Sequence, residues 1–326
     1  MYILAVDDDP IILEILVSFI GTMDNHELVT AENVDDARKI LSSQDRSFDC
    51  FLLDIQMPGT DGVEFCRSLR ETRKYKRTPI LMLTAMSEKG YIDNAFNAGA
   101  TDYITKPFEL NGLKGRLGLV EQIARDAHYL ANNLASGSPQ NTNVGQDQQP
   151  LDLHNPMPIL DVDGVIENHA MENYVTQLSR RELCGSFVLG FTIRYVADLF
   201  YCLSEYDFRC VVTDVSEAIS DCLLPTQRLV SYAGNGTFVA VVEGVAQIDM
   251  ERLVDQMNRY IHTMELSTSD GEGLNVKVCA SRPTRLIWRK GMAAVDALRE
   301  ATLMAEECAD RLEKERGRIW TNEMIA

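Results

Sequence analysis

The 326-residue chain has little positive charge: 31 Lys and Arg stand against 49 Asp and Glu, a formal net charge of −18. Phosphate backbones are gripped by clusters of Lys and Arg, so this balance argues against a broad nucleic-acid surface. The deficit is general, since residues 1–120 hold 13 cationic and 19 acidic side chains (−6) and the rest hold 18 and 30 (−12). No apolar run approaches the ~20 residues that span a bilayer. The best candidate, Phe187 to Leu203, is broken by Arg194 and Asp198. Where an export signal would have a cationic stretch, the chain has Asp7-Asp8-Asp9. There is no CxxC pair. The eight cysteines (50, 66, 184, 202, 210, 222, 279 and 308) are scattered and read as mostly buried thiols of a reducing compartment. A cytoplasmic protein is expected, with no membrane and no nucleic-acid partner. The 45% apolar and 25% charged content is that of a globular chain, long enough for two domains.

Up to about residue 120, short apolar runs alternate with amphipathic stretches. Strands are expected at Tyr2–Val6, Leu28–Ala31, Cys50–Leu53, Ile80–Leu83 and Asp102–Thr105. Helices are expected at Ile11–Ile20, Val34–Ser42, Gly62–Glu71 and Glu88–Ala98. Five strands alternating with helices imply an α/β domain with a doubly covered parallel sheet. Ligands in such sheets collect at the carboxyl ends of the strands. A stripe of Leu113, Leu117, Val120, Ala124, Ala127 and Leu134 then extends along one helix face. Its first turns fit a last helix on its own sheet; beyond Glu121 a short coiled-coil seam in a homodimer is the alternative. Ser136–Pro150, SGSPQNTNVGQDQQP, has linker composition. The expected division is 1–125, a helical extension and linker over 126–160, and a second unit over 161–326.

The second unit follows a different pattern. Strands are expected at Ser186–Tyr195, Arg228–Ala233, Phe238–Glu243 and Leu274–Ala280, and helices at Asp249–Met264 and Met292–Arg316. Gly234-Asn235-Gly236-Thr237 is a hairpin turn, because Gly and Asn accept positive φ. An α+β domain with a mainly antiparallel sheet is expected.

The strand ends of the first unit bear the chemistry. Asp7 and Asp8 follow the first strand, Asp54 ends the third, Thr84 the fourth, and Lys106 follows the fifth. Crowded carboxylates repel each other and favour a hard cation, most simply Mg²⁺. A Lys and a hydroxyl can receive phosphoryl oxygens, leaving one Asp as phosphoryl acceptor. Each residue alone has a plain explanation: Asp9-Pro10, for instance, is a good helix start.

VDDDP, LLDIQMPGTDG, LTA and DYITKPF, in that order, resemble the receiver domain of two-component response regulators, a five-stranded flavodoxin-like fold. The resemblance implies that Asp54 is the phosphoacceptor and that Mg²⁺ is held by Asp7, Asp8, Asp54 and the backbone carbonyl of Gln56. It also implies a cis Lys106–Pro107 peptide and an aromatic switch in which Tyr103 couples to Thr84. The implied partner is a sensor histidine kinase or a phosphotransfer protein.

The second unit resembles a GGDEF (diguanylate cyclase) domain in outline. Asp161–Asn168 is similar to that family's DxLTGLxN, Ser231–Phe238 to its RxGGDEF hairpin, and Lys314–Arg318 to its KxxGR. The acidic residues are missing. The hairpin reads Gly234-Asn235-Gly236-Thr237-Phe238, Gly190–Val196 has no metal-binding Asp, and Pro225–Arg228 is not the RxxD of the product site. The resemblance therefore implies a degenerate, catalytically inactive domain that acts as a protein-interaction output. The alternative is a diguanylate cyclase with residual or partner-dependent activity.

Overall fold

The computed structural model describes all residues except 24, 45, 86–88, 108–111, 119, 122–150, 160–161, 225, 227, 244–248 and 324–326. It divides into Met1–Pro150 and Leu151–Ala326.

In the first unit, β1 (Tyr2–Val6), β2 (Glu27–Ala31), β3 (Cys50–Asp54), β4 (Ile80–Thr84) and β5 (Asp102–Thr105) form one sheet in the order β2-β1-β3-β4-β5. Every pairing is parallel. β1, β3 and β4 are buried along their whole length, which is why they read as unbroken apolar runs rather than alternating ones. The connections are α1 (Pro10–Ile20), α2 (Val34–Ser43), α3 (Gly62–Glu71) and α4 (Lys89–Asn97). Side chains of Asp9, Asn33 and Asp61 cap the first three of these, accepting from backbone N–H groups of the opening turn. One face of the sheet packs Ile3, Ala5, Leu52, Leu81 and Leu83 against α1 and against the helical residues 112–118.

Leu113, Leu117 and Val120 are buried in that core. The first turns of the stripe therefore cover their own sheet. Ala124, Ala127 and Leu134, where the seam was expected, lie outside the described residues, as does the linker Ser136–Pro150. It follows that Leu117→Glu should unfold the receiver-like unit rather than probe a seam. A carboxylate at a position with 0% exposure costs at least ~2 kcal/mol on top of the lost packing. Calorimetry should show the first unit's transition lowered or abolished; an unchanged transition would contradict the burial.

The second unit contains α5 (Asn168–Gln177), α6 (Arg180–Gly185), β6 (Ser186–Ile193), α7 (Val196–Cys202), α8 (Glu205–Cys222), β7 (Arg228–Gly234), β8 (Thr237–Glu243), α9 (Met250–Thr263), β9 (Val278–Ala280), β10 (Thr284–Arg285) and α10 (Met292–Glu323). Its sheet runs β10-β6-β8-β7, with β9 also on β6, and these pairings are antiparallel. The core gathers Leu189, Phe191, Ile193, Phe208, Val212, Val215, Phe238 and Ala240.

Several details differ from the sequence reading. The strand expected over Leu274–Ala280 starts only at Val278, because its partner β6 ends opposite that residue, at Ile193. The 18-residue α8 is not apparent in the sequence, since its apolar stripe is interrupted by Asp207, Asp214 and Ser216. Residues 151–159, expected to end the linker, belong to the second unit: Leu153, Met157 and Ile159 are buried in its core. Polar linker composition stops at Pro150, and the apolar side chains that follow need a core to cover them.

Candidate functional site

The parallel sheet delivers four strand ends to one rim. Asp7 is fully buried just after β1, Asp54 is 4% exposed at the end of β3, and Asp8 is exposed. Carboxylate oxygens of all three lie within 4.8 Å of one another. Lys106, one residue past β5, places Nζ 2.6 Å from Asp7 Oδ2 and 2.8 Å from Asp54 Oδ1. The other Asp7 oxygen accepts from the Asp9 backbone N–H at 3.1 Å. Thr84, fully buried, ends β4 in register with Thr105, and its carbonyl accepts from the Lys106 N–H at 2.6 Å.

The electrostatics are unbalanced. Burial pushes the Asp54 carboxyl above the usual carboxylate range; Lys106 opposes this, while Asp7 and Asp8 add to it. For Lys106, burial works against the ammonium, yet hydrogen bonds to Asp54 and Asp7 outweigh it and raise its pKa. Among the described residues one cation thus faces three carboxylates, and another positive charge there is favourable. The donor set consists only of hard oxygens, which fits Mg²⁺ better than a soft metal.

The Lys106–Pro107 peptide is cis. Tyr103 is not a surface aromatic: it is 5% exposed and packs edge-on against Phe96, with centroids 6.0 Å apart. Gln56 is exposed on the loop after β3. The sequence reading missed the part played by Gly62. A Cβ there would stand 1.9 Å from the Asp54 carbonyl oxygen, and its N–H donates to the Ile55 carbonyl at 3.0 Å. Only glycine lets the start of α3 lie against the strand that carries Asp54, and the Asp61-Gly62 pair was the available signal.

A family profile for the response regulator receiver domain matches residues 3–117. Residues 3–117 are a receiver domain. The chain is 39% identical across 131 residues to the transcriptional regulatory protein ResD of Bacillus subtilis, covering 40% of this chain and 52% of that one. It is 39% identical across 118 residues to the phosphate regulon transcriptional regulatory protein PhoB of Pseudomonas aeruginosa, covering 36% and 50%. The chain thus spans about half the length of these curated relatives. Among solved structures, the chemotaxis protein CheY4 of Vibrio cholerae is 31% identical, with 36% of this chain and 97% of that chain covered and a TM-score of 0.34.

The hairpin of the second unit is a separate place. Asn235 and Gly236 have φ of 52° and 64°, and Gly234 pairs with Thr237 around them. That is a two-residue turn with both central residues left-handed, as Asn-Gly favours. Gly234 has φ 96°, and a Cβ on it would stand 2.4 Å from the His154 carbonyl oxygen. The segment 151–159 therefore lies directly over the turn. The Asn235 N–H donates to the Leu153 carbonyl at 2.6 Å, and His154 Nδ1 is 2.7 Å from Asn235 Oδ1. Thr237 Oγ1 meets Thr192 Oγ1 at 3.0 Å, both buried. Glu306 Oε1 accepts from Asn235 Nδ2 at 3.3 Å and from the Thr237 hydroxyl at 3.4 Å. Phe238 is fully buried beside Tyr232. No cluster of three metal-ligating side chains occurs at this turn among the described residues.

Proposed function

We propose that the chain is a response regulator whose receiver domain accepts a phosphoryl group on Asp54 and whose second unit is a catalytically inactive, GGDEF-like output that binds a protein. The supporting observation for the first part is the Asp7–Asp8–Asp54 cluster bridged by Lys106. Mg²⁺, held by Asp7, Asp8, Asp54 and the Gln56 carbonyl, would supply charge neutralisation for the incoming phosphoryl oxygens. An Asp54 carboxylate oxygen attacks phosphorus, forming an acyl phosphate as the P–N bond of a phosphohistidine donor breaks. That donor is a sensor histidine kinase or a phosphotransfer protein. Lys106, anchored by Asp7, balances the negative charge that arrives, and Thr84 contributes a hydroxyl at the same rim. Tyr103 and Thr84 then transmit the change.

For the second unit, the reading rests on what stands at the hairpin. Two-metal phosphoryl transfer requires carboxylates on both sides of the turn. Here the facing positions are Thr192 and Thr237, bonded to each other, and Glu306 is engaged by Asn235 and Thr237. Residues 153–155 also pack directly on the turn. GTP with Mg²⁺ or Mn²⁺ should give no cyclic di-GMP, and calorimetric titration with either nucleotide should be flat. Detectable product would overturn the inactive reading in favour of a residual cyclase. The output reading is tested by a pull-down comparing beryllofluoride-treated and untreated protein: a partner retained only in one state is expected, and no state dependence would contradict it.

A further inference from the structure

Two thiols of the second unit meet where α10 crosses β9. Cys279 is 3% exposed, and its Sγ is 3.7 Å from the Thr192 carbonyl oxygen and 3.9 Å from that of Ala305. The approach is close because small residues make it. α10 buries Ala294, Ala301, Ala305 and Ala309. Gly190 on β6 lets the Ala301 carbonyl oxygen come within 2.2 Å of the place a Cβ would occupy. Cys308 lies three residues beyond Ala305 on α10, at the next turn of the helix that the Cys279 Sγ touches, near enough for the two thiols to influence each other. It is half-buried, and Arg311 Nη2 lies 3.6 Å from its Sγ.

The two sulfurs are therefore unequal. Cys308 is reachable from solvent and has a guanidinium beside it. Cys279 sits behind it, and burial together with the Cys308 sulfur pushes its thiol up to about 12. An accessible thiol next to a cation, with a buried resolving thiol in contact, is the arrangement that oxidant-reactive cysteine pairs use. Nothing in the phosphoryl chemistry of the receiver requires it.

We propose that Cys308 and Cys279 form an oxidation site for hydroperoxides, closing a disulfide that ties α10 to β9. The Cys308 thiolate attacks the outer peroxide oxygen: an S–O bond forms, the O–O bond breaks, and the alcohol or water leaves with a proton. Cys308 is then a sulfenic acid, oxidised by two electrons, and the peroxide is reduced. The Cys279 thiol displaces hydroxide from it, the S–S bond forms, and water departs with the thiol's proton. A thiol reductant reverses the step by exchange.

The full chain is exposed to near-stoichiometric hydrogen peroxide, quenched with an alkylating reagent and mapped by peptide mass spectrometry. Exposed Cys184 and Cys202 are internal references for reactivity from exposure alone. A Cys279–Cys308 linkage is expected as the main product, forming at least ~10-fold faster than oxidation at either reference. Cys308→Ser should remove the linkage, and Cys279→Ala should leave a sulfenic acid at Cys308 that dimedone traps. The wild-type map decides the question even where a variant folds poorly. Oxidation of Cys184 or Cys202 without the linkage would overturn the proposal, as would a Cys308 no faster than they are.

Discussion

Asp54→Asn is expected to abolish phosphoryl incorporation from small phosphodonors or a kinase, while leaving the fold intact. The amide is nearly the same size, so β3 keeps its packing, and Asp54 Oδ1, 2.8 Å from Lys106 Nζ, is replaced by an atom that can still accept. What is lost is the nucleophile, since an amide oxygen does not form a stable phosphoryl ester with this geometry. The loss should exceed ~10³-fold, the scale of removing an attacking group outright. Intact-mass analysis after acetyl phosphate and Mg²⁺ is the readout: wild type gains one phosphoryl mass and the variant none. A variant that still gains it would mean that another side chain is the acceptor. Lys106→Ala makes the companion measurement. It leaves the acceptor in place but removes the cation that Asp7 and Asp54 share, so slower labelling is expected rather than none.

Gly62→Ala should destabilise the receiver far more than Gly59→Ala, although only three positions separate the loop glycine from the one that opens α3. At Gly59 the cost is conformational: φ is 88° and nothing lies within 4 Å of an added methyl, so about 1 kcal/mol is expected. At Gly62 the methyl would stand 1.9 Å from the Asp54 carbonyl oxygen, an overlap relieved only by moving α3 or β3. Overpacking of that kind costs ~1–3 kcal/mol or more, and because β3 carries Asp54, phosphorylation should slow as well. The chain's only two tryptophans, at 288 and 320, lie in the second unit, so calorimetry is the suitable measurement. Equal losses at the two glycines would mean that the helix start does not press on the acceptor strand.

Much of the receiver was legible in advance, because its information is local. The boundaries of β1, β3 and β4 follow from continuous apolar runs ended by Asp or Thr, and helix starts follow from Asp9, Asn33 and Asp61. A parallel sheet then forces the residues after each strand onto one rim. Asp7, Asp54, Thr84 and Lys106 meet for that reason, whatever the details of packing. The hairpin of the second unit was legible too, since Asn235-Gly236 sets its own turn. The sequence by itself determined which side chains reach the receiver rim and which residues make the hairpin turn of the second unit.

Tertiary structure decided the contacts between residues far apart in the chain. That segment 151–159 covers the hairpin depends on Leu153, Met157 and Ile159 finding a core whose buried residues begin at Leu189. Composition shows only that they are apolar. Lys106 sharing Asp7 with Asp54, and the Gly62 approach to Asp54, depend on distances of a few ångströms between strands and a helix. Cys279 meets Cys308 because Gly190 and a row of alanines let α10 lie close to the sheet. Spacing along the chain cannot encode such meetings, because each is set by how side-chain volumes fill the space between two elements.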